Sequence, residues 1–178
     1  MLNSTANTLD RPAVLTQEGG HGSGITGRDS RELLFWRYVT HLGSAPATLS
    51  PGVALFVLGG YERQIGIALL LINVISHLIA QLLKRTVVRP RPCDAAGRSL
   101  ALIDVPDEYS FPSGHATAAA AVAVTLTLAY GWPAPALLPL AAVVAASRAK
   151  LGVHYGSDAA AGMFLGLATA ITLFPLLI

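Results

Sequence analysis

Long apolar runs constrain the fold of this chain more strongly than any other feature of its sequence. Ile65–Leu83 holds about 19 residues, which in an α-helix rising ~1.5 Å per residue cover about 29 Å, close to the thickness of a bilayer's hydrocarbon core. Only 12% of the 178 residues are charged and 53% are hydrophobic, whereas roughly 25% are charged in an average soluble domain. This balance excludes a disordered chain, a coiled coil and a highly charged nucleic-acid-binding protein, and it argues against a soluble enzyme. We therefore expect an integral membrane protein.

Three further apolar segments are predicted to cross the membrane as helices. They are Ala116–Tyr130, Ala134–Ala149 and Ala159–Ile178. A shorter fifth segment begins near Pro51, and no segment alternates with the two-residue period of a strand. The sequence therefore predicts an all-α, polytopic transmembrane helix bundle of about five spans.

The residues that precede the first apolar run divide into two parts. Residues 1–29 are rich in Ser, Thr, Asn and Gly and contain no apolar stretch of the kind found in signal peptides, which indicates a flexible polar tail. Residues 31–42 place apolar side chains at helical spacing beside Trp36 and Tyr38, a pattern typical of a helix at the membrane interface. We predict a tail of residues 1–29 and a membrane domain of residues 30–178.

Positive charges collect at the ends of predicted spans that share one membrane face. These cations are Lys84, Arg85, Arg89, Arg91, Arg98, Arg148 and Lys150. An up-and-down path through the membrane brings His115 and Asp158 to the same face. The cluster predicts an anion-binding site, although lipid-headgroup anchoring or a topology signal explains such a cluster equally well when it is considered alone.

A short motif at the start of the Ala116–Tyr130 span suits a phosphate group. Ser113 is a natural helix N-cap, Gly114 allows a close approach of the backbone to a ligand, and His115 falls in the first helical turn. Free N–H groups and the positive end of the helix dipole meet at this point. A simple helix cap is the alternative interpretation.

A histidine and an aspartate stand four residues apart near the start of the last span. A carboxylate that accepts a hydrogen bond from one ring nitrogen fixes the tautomer and leaves the other nitrogen free to attack, so His154 with Asp158 is a candidate covalent nucleophile. Asp158 alternatively caps the last helix. A metal site is the other alternative, but the surrounding Arg and Lys side chains argue against it.

Two groups of polar residues lie outside these motifs. The acidic residues of the loop after the second span are Asp94, Asp104, Asp107 and Glu108. They either pair with Arg85, Arg89 or Arg98, or repel doubly anionic headgroups, or attract amine-bearing ones. The polar residues along one side of the second span are Asn73, His77, Gln81 and Lys84. Hydrogen bonding between helices is the favoured interpretation of these four, and a polar path to the site is the alternative.

Three spaced motifs make the sequence recognisable as a whole. They are Lys84 followed after six residues by Arg91-Pro92, then Pro112-Ser-Gly-His115, and finally Ser147-Arg148 with His154 and Asp158. In this order the motifs resemble the type 2 phosphatidic acid phosphatase superfamily, also called lipid phosphate phosphatases. The resemblance extends over about residues 33–178.

The resemblance implies metal-independent removal of a terminal phosphate from a lipid, with no cofactor. It implies that His154 attacks phosphorus to form a phosphohistidine, that Asp158 orients His154, and that His115 protonates the leaving oxygen and then activates water. The residues that it assigns to the phosphate oxygens are Lys84, Arg91, Ser113, Gly114 and Arg148. Fixed donors suit this chemistry because a phosphoryl transition state spreads negative charge over its equatorial oxygens.

The sequence leaves the substrate open among phosphatidic acid, phosphatidylglycerol phosphate and a polyprenyl diphosphate. A non-catalytic lipid or anion binder or transporter on the same scaffold is the alternative function. A soluble acid phosphatase or vanadate haloperoxidase is the alternative within the superfamily, and the apolar spans argue against it. The expected partners are the bilayer and a lipid phosphate, with no nucleic acid. A homo-oligomer is left open by the G-x-x-x-G of Gly162 and Gly166, for which packing within the chain is favoured.

The predicted location is the cell (inner) membrane, with an active site facing the periplasm or outside, as the resemblance implies. Relatives in this branch usually have six spans, whereas this chain has a polar tail where the first would be. With five spans every Lys and Arg except Arg63 would lie on the side of the site, which the positive-inside rule would assign to the cytoplasm. Functional cations are not free to follow that rule. We expect the pocket to open sideways towards lipid, between the first short span and Leu34–Tyr38.

Overall fold

The computed structural model describes residues 27–93, 95–105, 107–132 and 134–178, and this part of the chain is organised as helices. The helices are α1 Gly27–His41, α2 Ala45–Leu58, α3 Gly60–Val87, α4 Gly114–Tyr130, α5 Leu137–Lys150 and α6 Gly156–Leu177, with a short 3₁₀ turn at Ala134–Ala136. The predicted all-α class is confirmed. The predicted tail lies outside the described residues except for its end, where Gly27 begins α1.

Two helices, α3 and α6, are long and apolar enough to cross a membrane by themselves. Helices α1 and α2 are long and apolar enough only when taken together, and a bend of 41° separates them. Helix α4 is apolar but shorter. Large apolar side chains such as Leu82 and Phe164 are exposed on the outside of the bundle, as expected of a surface that faces lipid. Within the described residues, two or three spans of a membrane protein are therefore present by length and composition, and the count of five stays a prediction.

Helix α3 is longer than the predicted span Ile65–Leu83. It begins at Gly60, directly after a turn at Gly59, and takes Glu62 into its first turn, where a carboxylate favours the positive end of the helix dipole. At its other end the backbone of Val88 turns into the left-handed region and its N–H donates to the carbonyl oxygen of Lys84. The last turn therefore carries Lys84 on a rigid helix rather than on a loop.

The alanine-rich helix α4 lies at the centre of the bundle, against α3, α5 and α6. Two glycines of α6 permit this close packing: a Cβ at Gly162 would overlap the carbonyl oxygen of Ser113, and a Cβ at Gly166 would overlap that of Thr117. Small residues at a crossing allow helix backbones to approach. The G-x-x-x-G motif therefore packs within the chain, as the sequence favoured.

Helix α1 contains the residues that the sequence assigned to an interfacial helix. Its last turn is buried at Val39 and Thr40, and the side chain of Arg37 donates to the carbonyl oxygen of Leu102. These contacts attach α1 to α5 and to the loop that precedes α4. The helix itself is confirmed, and its position at the membrane interface stays a prediction.

Candidate active site

The three motifs meet at one end of the bundle around a cavity of about 290 Å³. The charged and imidazole side chains of this end come from the last turns of α3 and α5, the first turn of α4 and two loops. The motif residues that line the cavity are Lys84, Arg91, Gly114, His115, Arg148 and His154. The cavity continues along apolar residues, of which Val74 and Leu78 are also exposed on the outer surface of α3. It therefore joins a charged end to the lipid-facing side of the bundle.

The imidazole of His154 is fixed by a backbone carbonyl. Its Nδ1 lies 2.6 Å from the carbonyl oxygen of Ser110, so Nδ1 carries the proton and donates it. The other ring nitrogen, Nε2, lies 3.5 Å from Nη1 of Arg91 at the cavity wall. Because Nδ1 carries the proton, the lone pair of Nε2 is available to an electrophile in the cavity. Ser110 is a residue that the sequence motifs did not identify.

Burial and charge keep this imidazole neutral. Burial, followed by the positive charges of Arg148 and Arg91, lowers the pKa of His154 to about 3. At neutral pH the ring is therefore unprotonated at Nε2. Only this form can act as a nucleophile, because a protonated imidazole has no free lone pair.

Asp158 does not make the hydrogen bond to His154 that the sequence predicted. Its Oδ2 lies 3.9 Å from Nδ1 of His154, and its closer partners are Nη1 of Arg89 at 2.7 Å and the backbone N–H of Tyr155 at 2.8 Å. A fully buried carboxylate needs strong donors, and these two supply them. Asp158 therefore caps α6 and holds the turn that carries His154, and Ser110 sets the tautomer in its place.

Two buried donors lack a partner: Arg148 lines the charged end of the cavity, whereas Ser113 lies outside the lining, next to Gly114. Ser113 occupies the N-cap position of α4, but its hydroxyl makes no capping hydrogen bond, and its Oγ is buried without any partner. Nε of Arg148 is likewise buried and unpaired, while its Nη1 donates to Oγ1 of Thr40 at 2.7 Å. Within the part of the chain that the structure describes, the one other such atom is Oγ1 of Thr125.

Lys84 and Arg91 face an acidic side chain. Asp107 accepts hydrogen bonds from Nζ of Lys84 at 2.8 and 3.0 Å and from Nη2 of Arg91 at 2.8 Å. Burial opposes the ionisation of Asp107, but the hydrogen bonds and charges of Lys84 and Arg91 outweigh it and hold the pKa of this carboxyl below its ordinary value. Asp107 therefore pairs with Lys84 and Arg91 rather than with Arg85, Arg89 or Arg98, the pairing that was one of the interpretations left open for the acidic residues. Asp94 of the same group lies outside the described residues.

The polar residues of α3 divide between the two interpretations. Nδ2 of Asn73 donates to the carbonyl oxygen of Thr48 in α2, which is a hydrogen bond between helices. His77 and Gln81 bond to each other at 3.2 Å, and both line the cavity.

Of the predicted entrance walls, α2 lines the cavity through Thr48 and Leu49, whereas Leu34–Tyr38 lies outside the lining.

No group of three or more His, Cys, Asp or Glu side chains placed to hold a metal ion occurs among the described residues. The donors that line the cavity include three cations, Lys84, Arg91 and Arg148. Such donors stabilise an anion directly, by charge and hydrogen bonds.

Curated relatives of this chain act on lipid-linked phosphates, according to their names. It is 45% identical over 93 residues to decaprenylphosphoryl-5-phosphoribose phosphatase of Mycobacterium tuberculosis, an alignment of 52% of this chain and 50% of that protein. It is 34% identical over 121 residues to undecaprenyl-diphosphatase of Sulfolobus acidocaldarius, covering 65% of this chain and 57% of the other. The chain thus spans about half the length of the curated relatives that it matches.

Two solved structures share the fold. A transmembrane PAP2-type phosphatidylglycerolphosphate phosphatase from Bacillus subtilis superimposes with a TM-score of 0.66 at 25% identity, over 82% of this chain and 76% of that one. LpxE from Aquifex aeolicus superimposes with a TM-score of 0.67 at 23% identity, over 80% and 84%. The PAP2 superfamily model matches residues 65–177, more than half of the sequence. With its three motifs gathered at one cavity inside that match, the chain belongs to the PAP2 superfamily.

Proposed function

We propose that this protein is an integral-membrane lipid phosphatase that removes a terminal phosphate from a lipid phosphate or diphosphate through a phosphohistidine. The observation that carries the proposal is the pair of buried, unpartnered donors: Nε of Arg148, which lines the cavity together with His154, and Oγ of Ser113, which lies next to the lining residue Gly114. Buried donors are almost always paired, and leaving one unpaired costs ~1–3 kcal/mol. A phosphate bound in the cavity would supply both partners.

The proposed reaction has two steps. Nε2 of His154 attacks phosphorus while the bond to the leaving oxygen breaks, and His115, which enters this step as an imidazolium, gives that oxygen its proton. His115 then takes a proton from water, the water oxygen attacks phosphorus, and the bond to Nε2 breaks to release inorganic phosphate and the free imidazole. Arg148 and Ser113 stabilise the equatorial oxygens in both steps. The general acid–base catalysis by His115 is typically worth ~10²–10⁴ in rate.

The shape of the cavity supports a lipid as the substrate. Its charged end would hold the phosphate, and its apolar end reaches Val74 and Leu78 on the outer face of α3. A lipid bound in this way keeps its chains in hydrocarbon, which avoids a cost of ~0.8 kcal/mol for each CH₂ group lifted into water. The names of the curated relatives support polyprenyl-linked phosphates as the first candidates to test, with phosphatidylglycerol phosphate and phosphatidic acid beside them.

Phosphate release from a panel of lipids tests this function. The full chain, purified in detergent, would be given a polyprenyl diphosphate, phosphatidylglycerol phosphate and phosphatidic acid, each with and without EDTA. We expect hydrolysis of at least one lipid, unaffected by EDTA, because cations occupy the places that metals fill in two-metal phosphatases. Binding without hydrolysis of any lipid would favour the non-catalytic binder or transporter, and activity restored by Mg²⁺ or Zn²⁺ after chelation would contradict the metal-independent mechanism.

Orthovanadate is expected to inhibit competitively at concentrations below about 1 mM, because its trigonal-bipyramidal form mimics the phosphoryl transition state. Ser113→Ala should raise the vanadate Ki by about tenfold or more, since a hydrogen bond to a charged group is worth ~1.5–3 kcal/mol. Thr125→Val is the matched control, because it removes the other buried unpartnered hydroxyl, which belongs to the interior of α4 rather than to the motif at its start. Equal Ki values for the Ser113 and Thr125 variants would exclude Ser113 from the phosphate site.

We further propose that the protein lies in the cell (inner) membrane with the cavity facing the periplasm or outside. Cys93, the single cysteine, is exposed in the loop between α3 and α4 that carries Arg91. A membrane-impermeant thiol reagent added to intact cells is therefore expected to label the protein, with Cys93→Ser as the unlabelled control. Labelling that occurs only after lysis would place the site in the cytoplasm.

A further inference from the structure

Asp107 holds the position at which two of the proposed phosphate ligands would meet a substrate. It lies in the loop before α4, lines the cavity, and binds both Lys84 and Arg91 through its carboxylate. We propose that Asp107 is an internal anion that competes with phosphate for these two cations and must leave them before the phosphate is fully bound. This inference rests on the proposed phosphate site.

The hydrogen bonds of Lys84 are already complete. A lysine ammonium has three N–H donors, and Nζ of Lys84 has three acceptors: Oδ1 and Oδ2 of Asp107 at 3.0 and 2.8 Å, and the carbonyl oxygen of Tyr109 at 3.2 Å. A phosphate oxygen can therefore gain a hydrogen bond from Lys84 only by displacing one of these acceptors. A carboxylate that stayed in place would also repel the incoming phosphate, because like charges side by side disfavour binding.

The cations themselves explain why an internal anion is present. The side chains of Lys84 and Arg91 are only 7% and 9% exposed, so each would be a nearly buried, unpaired charge in an empty site. Leaving a buried charge without a partner strongly destabilises a fold. Asp107 neutralises both cations when no phosphate is bound, and a phosphate does so when it is.

Asp107 is also placed so that it can move. Its side chain is 29% exposed, whereas its backbone carbonyl oxygen accepts a separate hydrogen bond from Nε of Arg91 at 2.8 Å. The carboxylate can therefore rotate away while the backbone remains attached. At the charged end of the cavity, Arg148 thus keeps an unpaired Nε for phosphate, whereas Lys84 and Arg91 are occupied by Asp107.

Such competition lowers the apparent affinity for phosphate by the fraction of time that the cations are available. A lipid phosphate gains additional binding energy from its chains, whereas the inorganic phosphate product has none. The return of Asp107 to Lys84 and Arg91 would therefore favour release of the product. The function of this contact is to limit product inhibition without excluding the lipid substrate.

Asp107→Asn in the full-length, detergent-purified protein tests the proposal, because the amide keeps the shape of the side chain and removes its charge. We expect the Kd for inorganic phosphate, measured by calorimetry, and the Ki for vanadate to fall by about tenfold or more, as when the competent fraction rises from about a tenth to nearly one. The KM for the lipid should fall in parallel. Glu108→Gln is the matched control, because it removes the same charge from an exposed neighbouring side chain.

The opposite result would identify Asp107 as a residue that only holds Lys84 and Arg91 in place. In that case Asp107→Asn would bind phosphate and vanadate more weakly than the wild type or equally well, and the proposal would be overturned. Asp107→Ser provides a second variant with the same expected direction if the asparagine variant does not fold. If the wild-type protein binds phosphate and hydrolyses lipid but neither variant binds phosphate more tightly, this inference alone is refuted. If the wild-type protein does neither, the proposed function is refuted as well.

Discussion

His154→Ala is expected to lower turnover by about 10⁴-fold or more and to abolish any phosphoenzyme, because the variant has no nitrogen to accept the phosphoryl group. Nε2 of His154 is the nucleophile in the proposed reaction, and the carbonyl oxygen of Ser110 holds the opposite nitrogen at 2.6 Å. The measurement is a rapid quench in alkaline detergent of enzyme mixed with lipid labelled in its terminal phosphate, followed by a count of protein-bound label. A phosphohistidine is stable in base and is lost in acid, which distinguishes it from a phosphoserine.

Two further variants separate loss of the nucleophile from loss of structure. His154→Asn keeps an N–H group near the carbonyl oxygen of Ser110 while removing Nε2, so it should be folded and equally inactive. His41→Ala removes an exposed histidine at the end of α1, outside the cavity lining, and should retain turnover. Near-normal turnover in either His154 variant would assign the nucleophile to another group.

The fold could be predicted from the sequence to the extent that apolar patterning specifies it. The runs at Ile65–Leu83 and Ala159–Ile178 became α3 and α6, the two helices that meet the criteria for crossing a membrane. Helix ends were harder to place, because charged residues such as Glu62 and Lys84 continue a helix beyond its apolar part. The number of spans depends on how the short helices α2, α4 and α5 sit in a bilayer, and their apolar patterns do not specify that depth.

The gathering of the three motifs could also be predicted, because span ends on one membrane face must lie near one another. The hydrogen-bond partners of the motif residues could not be predicted from the sequence. Ser110 and His154 are 44 residues apart, and Thr40 and Arg148 are 108 apart, with no shared pattern that would connect them. Such contacts depend on how loops fold over the bundle, which side-chain periodicity does not encode.

The two arginines of the Arg-Pro-Arg-Pro segment illustrate the same limit. Arg91 lines the cavity, whereas Arg89 binds Asp158 at 2.7 Å and stacks over the ring of Tyr155 at 4.1 Å. Residues two apart in an extended segment can still diverge when prolines and turns redirect the chain. The motif spacing selected Arg91 correctly for the cavity, but it carried no signal that Arg89 supports the turn bearing His154.

His115→Asn should lower kcat/KM for a lipid phosphate by about 10²–10⁴-fold, and by much less for an aryl phosphate such as p-nitrophenyl phosphate. An alkoxide is a poor leaving group that needs the proton of His115, whereas a nitrophenolate leaves without one. The ratio of the two losses therefore isolates the role of His115 as a proton donor from any role in binding. His154→Ala is the control for this ratio, since removal of the nucleophile should impair both substrates alike.

The second step of the reaction gives the same variant an independent signature. With an aryl phosphate, the first step in His115→Asn remains fast, but water attack on the phosphohistidine slows because no base takes the proton of the water. Stopped-flow absorbance should therefore show a burst of nitrophenolate that approaches one equivalent of enzyme, followed by slow turnover, while labelled phosphate accumulates on the protein. Equal losses with both substrates and no burst would mean that His115 only shapes the cavity. The proton donor would then be another side chain of the lining, and His77 is the first to test because it faces the same cavity.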